Sequence, residues 1–456
     1  MRYYENVLGI IGNTPLVKIT KLTEQMGIKA SIFAKMESLN PGYSVKDRIG
    51  VAMIEAAEKE GKLTPGGTII EATSGNTGIG LALAAAVKGY KCIFIMTEKV
   101  STEKVKYLKA LGADVVICPV TAKKGSPDHY LTTARRIAEE TPNSFYPDQF
   151  NNIPNREAHY RTTGPEIWRD TDGKITHFVA GAGTGGTISG VGRFLKEQNP
   201  NVKTILADPL GSIFKAYKES GSMPEGSPFL VEGMGQTDMI PSTLEMKVVD
   251  EVVNVADRES FEMARQLSRV EGIFCGGSTG TNFGAALRVA RDLDENGLVV
   301  FIVCDTGEHY LTKHHSDEWL KEKLLLEPQR ITAGLLIQTK GTNSPRKLLA
   351  LEPAHTVAEA LKMMNENAVT QLPVLEEGKS VGSLRESRAL ARLLENRELM
   401  NAPVSEIMEA SFPIIDDAAL ISEVSQKLME TPAILVEEYK RIIGIITRTD
   451  VLDVSR

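Results

Sequence analysis

Asn40-Pro41-Gly42-Tyr43-Ser44-Val45-Lys46-Asp47-Arg48 reads as a turn running into a helix. Pro41, Gly42 and Ser44 are turn formers. After Lys46, apolar residues fall at Ile49, Ala52, Met53, Ala56 and Ala57, one stripe of a 3.6-residue period. Gly61 follows where a C-terminal cap belongs. Downstream, Thr73-Ser74-Gly75-Asn76-Thr77-Gly78 is a polar loop between the apolar strand Ile69-Ile70-Glu71 and residues 80–87, a stretch apolar all round and expected to be a buried helix. Further short, β-branched runs recur at 92–96, 115–118, 177–180, 204–207 and 298–303, alternating with helical patterns. Strands this apolar belong to sheets covered on both faces. Residues 1–322 are therefore expected to form an α/β unit, a parallel sheet covered by helices in two subdomains.

The chain has 456 residues, enough for two or three domains, and a formal charge of −7 from 52 basic and 59 acidic side chains. The charges are mixed, without a basic stripe, so nucleic-acid binding is not expected. No apolar run approaches the roughly 18 residues of a membrane span. Met1-Arg2-Tyr3-Tyr4-Glu5-Asn6 leads into no long apolar segment, so no signal peptide is expected and the location is read as cytoplasmic. Cys92, Cys118, Cys275 and Cys304 sit in or beside apolar runs without paired spacing, as reduced, buried thiols would. No Cys-x-x-Cys exists and the histidines do not cluster with cysteines, so no metal is expected.

The texture changes after Glu318, and Pro328-Gln329-Arg330 breaks the pattern. The remainder reads as a duplication. One copy carries Gln371-Leu372-Pro373-Val374-Leu375 and Val381-Gly382-Ser383-Leu384; the other carries Ala433-Ile434-Leu435-Val436 and Ile443-Gly444-Ile445-Ile446. Each reads helix, strand, turn, strand, helix. The division expected is a linker over 323–334 and repeats over 335–398 and 399–456. The pair resembles tandem CBS domains, a Bateman module that often senses adenosine-type ligands.

Three further features surround Lys46 with chemistry. A lysine beside an anion-binding loop is able to hold an aldehyde cofactor with a phosphate tail, the amine forming a Schiff base and loop amides holding the anions. Gly181-Ala182-Gly183-Thr184-Gly185-Gly186-Thr187 follows a strand and opens a helix, with dense amides and threonine hydroxyls suited to one phosphate. It also satisfies a dinucleotide fingerprint, Gly181-x-Gly183-x-x-Gly186, with Asp208 ending the next strand where a ribose-binding acid would stand. A nicotinamide enzyme is therefore the rival reading of this segment. Cys275-Gly276-Gly277-Ser278-Thr279-Gly280 is a glycine turn whose serine would at least cap a helix.

Taken together, Ser44-Val45-Lys46-Asp47-Arg48, the 73–78 loop, 183–187 and Ser278 resemble the fold-type II family of pyridoxal-phosphate (PLP) enzymes, similar to the tryptophan synthase β chain. The resemblance covers essentially the whole chain, including Asn13-Thr14-Pro15-Leu16-Val17 near its start. It implies that Lys46 is the Schiff-base lysine and the base for a Cα proton. It implies that Gly183, Thr184, Gly185, Gly186 and Thr187 hold the cofactor phosphate, and that Asn76 bonds its phenolic oxygen. Thr73, Ser74, Gly75, Thr77 and Gln149 would hold the substrate carboxylate, and Gly233 lies in a glycine segment that closes on the substrate. Ser278 would bond the pyridine nitrogen. A neutral hydroxyl there makes the ring a weaker electron sink, which favours expulsion of a β-leaving group over transamination.

Within the family, the tandem module and Thr312-Lys313-His314-His315-Ser316-Asp317-Glu318-Trp319-Leu320 resemble the cystathionine β-synthases. That branch joins L-serine, or an activated serine, to L-homocysteine and is able to release hydrogen sulfide. The alternative is an O-acetylserine sulfhydrylase with a regulatory CBS pair. A different class, an adenosine sensor with an inactive catalytic domain, has no need of an intact Lys46. No haem-binding extension precedes the catalytic pattern, so no haem is expected. Thr447 and Asp450 match positions that contact an adenosine ribose and phosphate, with S-adenosylmethionine or an adenine nucleotide as the implied effector. Arg385 and Arg388 stand at the corresponding places of the first repeat, so at most one site is expected. The family implies a homodimer, which CBS pairing could raise to a tetramer.

Overall fold

The chain divides into two units, Met1–Leu326 and Glu327–Arg456. The structure, a computed structural model, describes residues 1, 3–123, 125–326, 332–339, 348–438 and 441–454.

The first unit holds ten strands: β1 (Leu16–Ile19), β2 (Ser31–Lys35), β3 (Thr68–Ala72), β4 (Lys91–Thr97), β5 (Asp114–Cys118), β6 (Ser144–Phe145), β7 (His177–Gly181), β8 (Lys203–Pro209), β9 (Glu251–Val255) and β10 (Leu298–Ile302). They form two sheets, ordered β1-β2-β10-β7-β8-β9 and β5-β4-β3-β6. The chain starts in the large sheet, leaves to build the small one, and returns with β7. Every pairing is parallel except β1 with β2.

Alternation along the strands feeds two cores. Val179, Ile205, Val299 and Phe301 pack with the helix Gly277–Arg291, while Phe178, Leu206, Val300 and Ile302 pack with the helix Gly186–Gln198. Burying each such side chain is worth roughly 1.5–3 kcal/mol, which is why the sheet is covered on both sides. The sequence pattern marked β3, β4, β5, β7, β8 and β10. It passed over β2, whose apolar signal ends in Lys35, a lysine 0% exposed in the structure. Its ammonium lies 2.9 Å from Glu166 and 3.3 Å from Asp170.

The helix Lys46–Lys59 buries Ile49, Met53 and Ala57 as the periodicity requires, and Gly61 takes a left-handed φ of 70° just past its end. It crosses the helix Asn76–Lys88 backbone to backbone. A Cβ at Gly50 would lie 2.4 Å from the Gly80 carbonyl carbon, and one at Gly80 would lie 2.5 Å from the Lys46 carbonyl oxygen. Only glycine permits that approach, and it joins Lys46 to the 73–78 loop. The second helix is not buried all round: Leu81, Ala84 and Ala85 are covered, but Val87 is 40% exposed on its outer face.

The second unit is built from two similar hairpins. β11 (Gln371–Glu376) pairs with β12 (Lys379–Arg385); β13 (Ile414–Asp416) adds in parallel to β14 (Ala433–Glu438), which pairs with β15 (Arg441–Thr447). Each hairpin has a register shift at the same place, after Val374 and after Val436, opposite Gly382 and Gly444. A shared irregularity of this kind is stronger evidence of duplication than shared hydropathy. The helix Ala333–Thr339 packs in the second repeat's core, where Ala333 and Leu336 meet Ile415, Val424, Ile434 and Ile446, although the sequence division placed residues 335–339 in the first repeat. Gly444 makes room for it, since a Cβ there would lie 2.4 Å from Ile337 Cδ1. Residues 327–331, with Pro328-Gln329-Arg330 of the expected linker, lie outside the described residues. Among the described residues, no helix is long and apolar enough to cross a membrane.

Candidate active site

The C-terminal ends of β3, β7 and β10 open on a cavity of about 820 Å³. This is where parallel sheets present loops and helix N-termini to a ligand. Lys46, Thr73, Ser74, Asn76, Thr77, Gln149, Gly183, Thr184, Gly185, Thr187, Gly233 and Ser278 all line it. Gly75 and Gly186 are buried behind the lining. Gly75 takes φ of 119°, a conformation L side chains rarely adopt, and Gly186 starts the helix at 186–198.

Lys46 sits in the first turn of its helix. Burial pulls its amine below ordinary lysine basicity, against the opposing pull of Cys304 and Asp305. Behind it, Arg48 is clamped by two buried carboxylates: Nε to Glu37 Oε2 at 2.7 Å and Nη1 to Glu166 Oε1 at 2.7 Å. Glu37 and Glu166 are both held below the usual carboxylate range despite burial, because Arg48 pairs with them. A planar guanidinium held from two sides fixes the helix start against the large sheet.

In the 73–78 loop, Thr73 Oγ1 accepts from the amides of Gly75 (3.0 Å) and Gly78 (3.3 Å). Thr77 Oγ1 donates to Gln149 Oε1 at 2.6 Å, and Gln149 Nε2 donates to the Ala72 carbonyl at 3.1 Å. Asn76 Nδ2 donates to Asp305 Oδ2 at 2.7 Å, while Asn76 Oδ1 is buried without a partner. The same Asp305 oxygen accepts from Tyr310 Oη at 2.6 Å, Lys104 donates to Tyr310 Oη at 2.8 Å, and Glu232 pairs with both Lys104 (3.2 Å) and Lys313. This chain of polar contacts ties the Asn76 loop to Glu232-Gly233-Met234-Gly235. Sequence reading missed Asp305, Tyr310 and Lys104. Asp305 was discoverable, since it follows β10 at the ligand-facing edge; Lys104 carries no signal in its own helix.

The 183–187 loop is backed by uncharged donors. Asn155 Nδ2 donates to Thr184 Oγ1 at 3.1 Å, and Gln236 Nε2 donates to the Gly183 carbonyl at 3.1 Å. His159 Nε2 lies 3.1 Å from Thr187 Oγ1. A Cβ at Gly183 would stand 2.5 Å from the Gly233 carbonyl oxygen, so only glycine there admits the 232–235 backbone this near. The dinucleotide alternative fails here. Asp208 is 0% exposed and does not line the cavity, so it presents no carboxylate to a ribose there, and burial pushes its carboxyl up to about 7. Cys304 is not fully buried as expected; it lines the cavity beside Lys46, with burial pushing its thiol up to about 11.

The pyridoxal-phosphate dependent enzyme family matches residues 7–305, and the CBS domain matches 345–395 and 404–456. A cystathionine β-synthase of Apis mellifera is 40% identical over 98% of this chain and 90% of its own. The chain belongs to the cystathionine β-synthase family of PLP-dependent enzymes. Among solved structures, an O-acetylserine dependent cystathionine β-synthase from Helicobacter pylori superposes with a TM-score of 0.62 at 40% identity, covering 69% of this chain and 99% of that one. A hydrogen sulfide-producing enzyme from Fusobacterium nucleatum gives 0.63 at 38%, covering 68% and 100%.

The family's cofactor fits the residues present. The cavity offers a primary amine of lowered basicity, an unpartnered buried amide oxygen at Asn76, a hydroxyl at Ser278, and two threonine hydroxyls at a helix N-terminus. In the second unit, Asp450 Oδ2 accepts from the Thr447 amide (2.6 Å) and hydroxyl (2.7 Å), so the two candidate effector residues cap their own helix. In the first repeat, Arg385 grips Glu409 with two bonds, Nε at 2.8 Å and Nη2 at 2.6 Å.

Proposed function

We propose that this chain joins a serine-type amino acid to homocysteine by β-replacement, giving cystathionine, and releases hydrogen sulfide when cysteine takes the donor's place, its β-sulfur leaving where the serine oxygen would. The observation that supports this most is the meeting of Lys46, Asn76, Gln149, Thr187 and Ser278, distant in sequence, around one cavity. Bound PLP supplies an electron sink for the Cα–H bond. The chain's residues do the rest. Lys46 Nζ, deprotonated more readily because it is desolvated, takes the Cα proton and later returns it. The amides and hydroxyls of the 73–78 loop, with Gln149, hold the substrate carboxylate. The donor's β-oxygen leaves, and the acceptor sulfur forms the new bond at Cβ. Glu232 and Gly233, tied to Lys104 and Lys313, cover the cavity and exclude water. Thr184 and Thr187 with the helix N-terminus would hold the phosphate, and Ser278 would bond the ring nitrogen. The second unit binds an adenosine-type effector at Thr447 and Asp450, and the protein works in the cytoplasm as a homodimer or tetramer.

Serine and O-acetylserine, each with homocysteine or sulfide, should be compared as substrate pairs by product analysis. Cystathionine from either donor supports the reading. Cysteine formed only from O-acetylserine and sulfide would move it to cysteine synthase. No visible absorbance in the purified protein would remove the PLP chemistry altogether.

A further inference from the structure

His159 belongs to no motif that marked the site, yet it stands directly behind the loop expected to hold the phosphate. It is 1% exposed, on the helix Ile153–Arg161. Its two ring nitrogens meet two threonines: Nδ1 lies 2.9 Å from Thr163 Oγ1, and Nε2 lies 3.1 Å from Thr187 Oγ1. Thr163 is fully buried, whereas Thr187 lines the cavity in the first turn of the helix Gly186–Gln198.

The directions of these bonds follow from what the cavity must hold. A phosphate dianion only accepts hydrogen bonds. Thr187 therefore serves it by donating its hydroxyl proton into the cavity, which leaves its oxygen to accept from behind. Only an imidazole with its proton on Nε2 supplies that bond. The Nδ1 of that tautomer must in turn accept, and Thr163 has a hydroxyl to give. The opposite tautomer would draw the Thr187 proton inward and turn lone pairs toward the anion. We propose that His159 is a positioning residue, a neutral imidazole locked by Thr163 in its Nε2–H tautomer so that Thr187 is held as a donor toward the cofactor phosphate. The inference rests on the reading above that 183–187 holds that phosphate. Neutrality agrees with the surroundings: burial, and secondly the charge of Arg48, lower the imidazole to about 3, outweighing Glu37 and Glu166 on the same side. The arrangement places three donors in line, Thr163 to His159 to Thr187 to the anion, and polarisation along such a chain strengthens the last bond.

The test compares dissociation constants of the cofactor-depleted protein for PLP and for pyridoxal, which lacks the phosphate. Thr187→Ala should lower the preference for PLP by about tenfold or more, the value of a hydrogen bond to a charged group. His159→Leu and Thr163→Val should each lower it severalfold while leaving pyridoxal affinity unchanged, and His159→Gln, whose amide donates near the Nε2 position, should restore part of it. Long-range nitrogen–proton NMR of histidine-labelled protein, with His159→Gln used for assignment, should show the Nε2–H tautomer before and after cofactor is added. A normal PLP preference in His159→Leu and Thr163→Val, with Thr187→Ala impaired, would overturn the relay and keep the phosphate loop. An unaffected Thr187→Ala would overturn the phosphate reading itself, and the relay with it. An Nδ1–H tautomer in the parent protein overturns the relay whatever the affinities, and this readout stands even if the leucine variant does not fold.

Discussion

The 73–78 and 183–187 loops are alike locally and different behind. Both follow a parallel strand, both turn through glycine, and both open a helix whose first turn faces the cavity. Behind 73–78 stand ionisable groups: Glu71 beneath it, Asp305 on Asn76, and Lys104 beyond. Behind 183–187 stand Asn155, the Thr243 hydroxyl on the Thr184 carbonyl, and His159 kept neutral. A helix N-terminus offers the same partial positive charge to any anion, so ligand choice falls to the supporting side chains. The uncharged backing suits a ligand that brings its own double negative charge. The ionisable backing suits a loop that must couple to Lys46 and to the closing 232–235 segment.

Lys46→Ala attacks what the two loops share, and carries the largest expected effect. β-Replacement should fall roughly 10²–10⁴-fold, the usual value of a positioned acid–base group, and visible cofactor absorbance should disappear. Retained absorbance with lost turnover would limit Lys46 to proton transfer.

Separating the loops should need smaller changes. Gln149→Ala should raise KM for the donor amino acid about tenfold or more while leaving cofactor affinity alone, and Asn155→Ala should do the reverse. Equal effects of both variants on both constants, measured by steady-state kinetics and cofactor titration, would erase the distinction drawn here.

Gly80→Ala tests the crossing that couples Lys46 to the 73–78 loop. Overpacking of this kind costs about 1–3 kcal/mol, and the new methyl would press on the Lys46 carbonyl. Thermal denaturation should show a melting point lowered by several degrees. An unchanged melting point would mean that the two helices are free to part.

The smallest signal per step is in the pH dependence of stability, where the backing groups act with opposite sign. Burial, and secondly the Asp148 carboxylate, push Glu71 up to about 8 from 4.5. The native state therefore keeps a proton that the unfolded chain releases, and stability falls as pH rises across that window. His159, lowered to about 3 from 6.5, excludes a proton that the unfolded chain binds, so stability falls as pH drops through that range. Each slope is at most about 1.4 kcal/mol per pH unit. Glu71→Gln should flatten the alkaline limb and His159→Gln the acid limb in denaturant titrations. If both variants track the parent from pH 4 to 9, neither group titrates as described.

Much of this was legible in the chain. Apolar β-branched runs located six strands because their side chains are largely buried, even though β5 at the edge of the small sheet leaves Ile117 exposed, and the duplicated hairpins were visible because each repeat must fill its own core. The loops were legible because a cavity-facing turn into a helix writes glycine, small hydroxyls and a helix start at adjacent positions. Other features left no local trace. Lys35 hid β2, since a lysine at a strand end reads as solvent-facing until Glu166 arrives from another element. Arg48 was read only as part of the lysine motif, and the carboxylates that clamp it come from two further segments. Residues 335–339 were assigned to the first repeat and 333–334 to the linker, yet the helix Ala333–Thr339 packs in the second repeat's core, close against Gly444.

What the sequence determined by itself is everything written in nearest-neighbour terms: helix periods, strand runs, turn glycines, and the loop motifs with the lysine among them. What only the tertiary structure decided is which groups stand behind those motifs. Asp305, Tyr310, Lys104 and His159 reach their loops across long stretches of chain, and burial raises the Tyr310 phenol and lowers the His159 imidazole. Desolvation and Coulomb energy depend on distance in space and not along the chain, so adjacent residues gave no sign of Tyr310, Lys104 or His159, and marked Asp305 only by its place after β10.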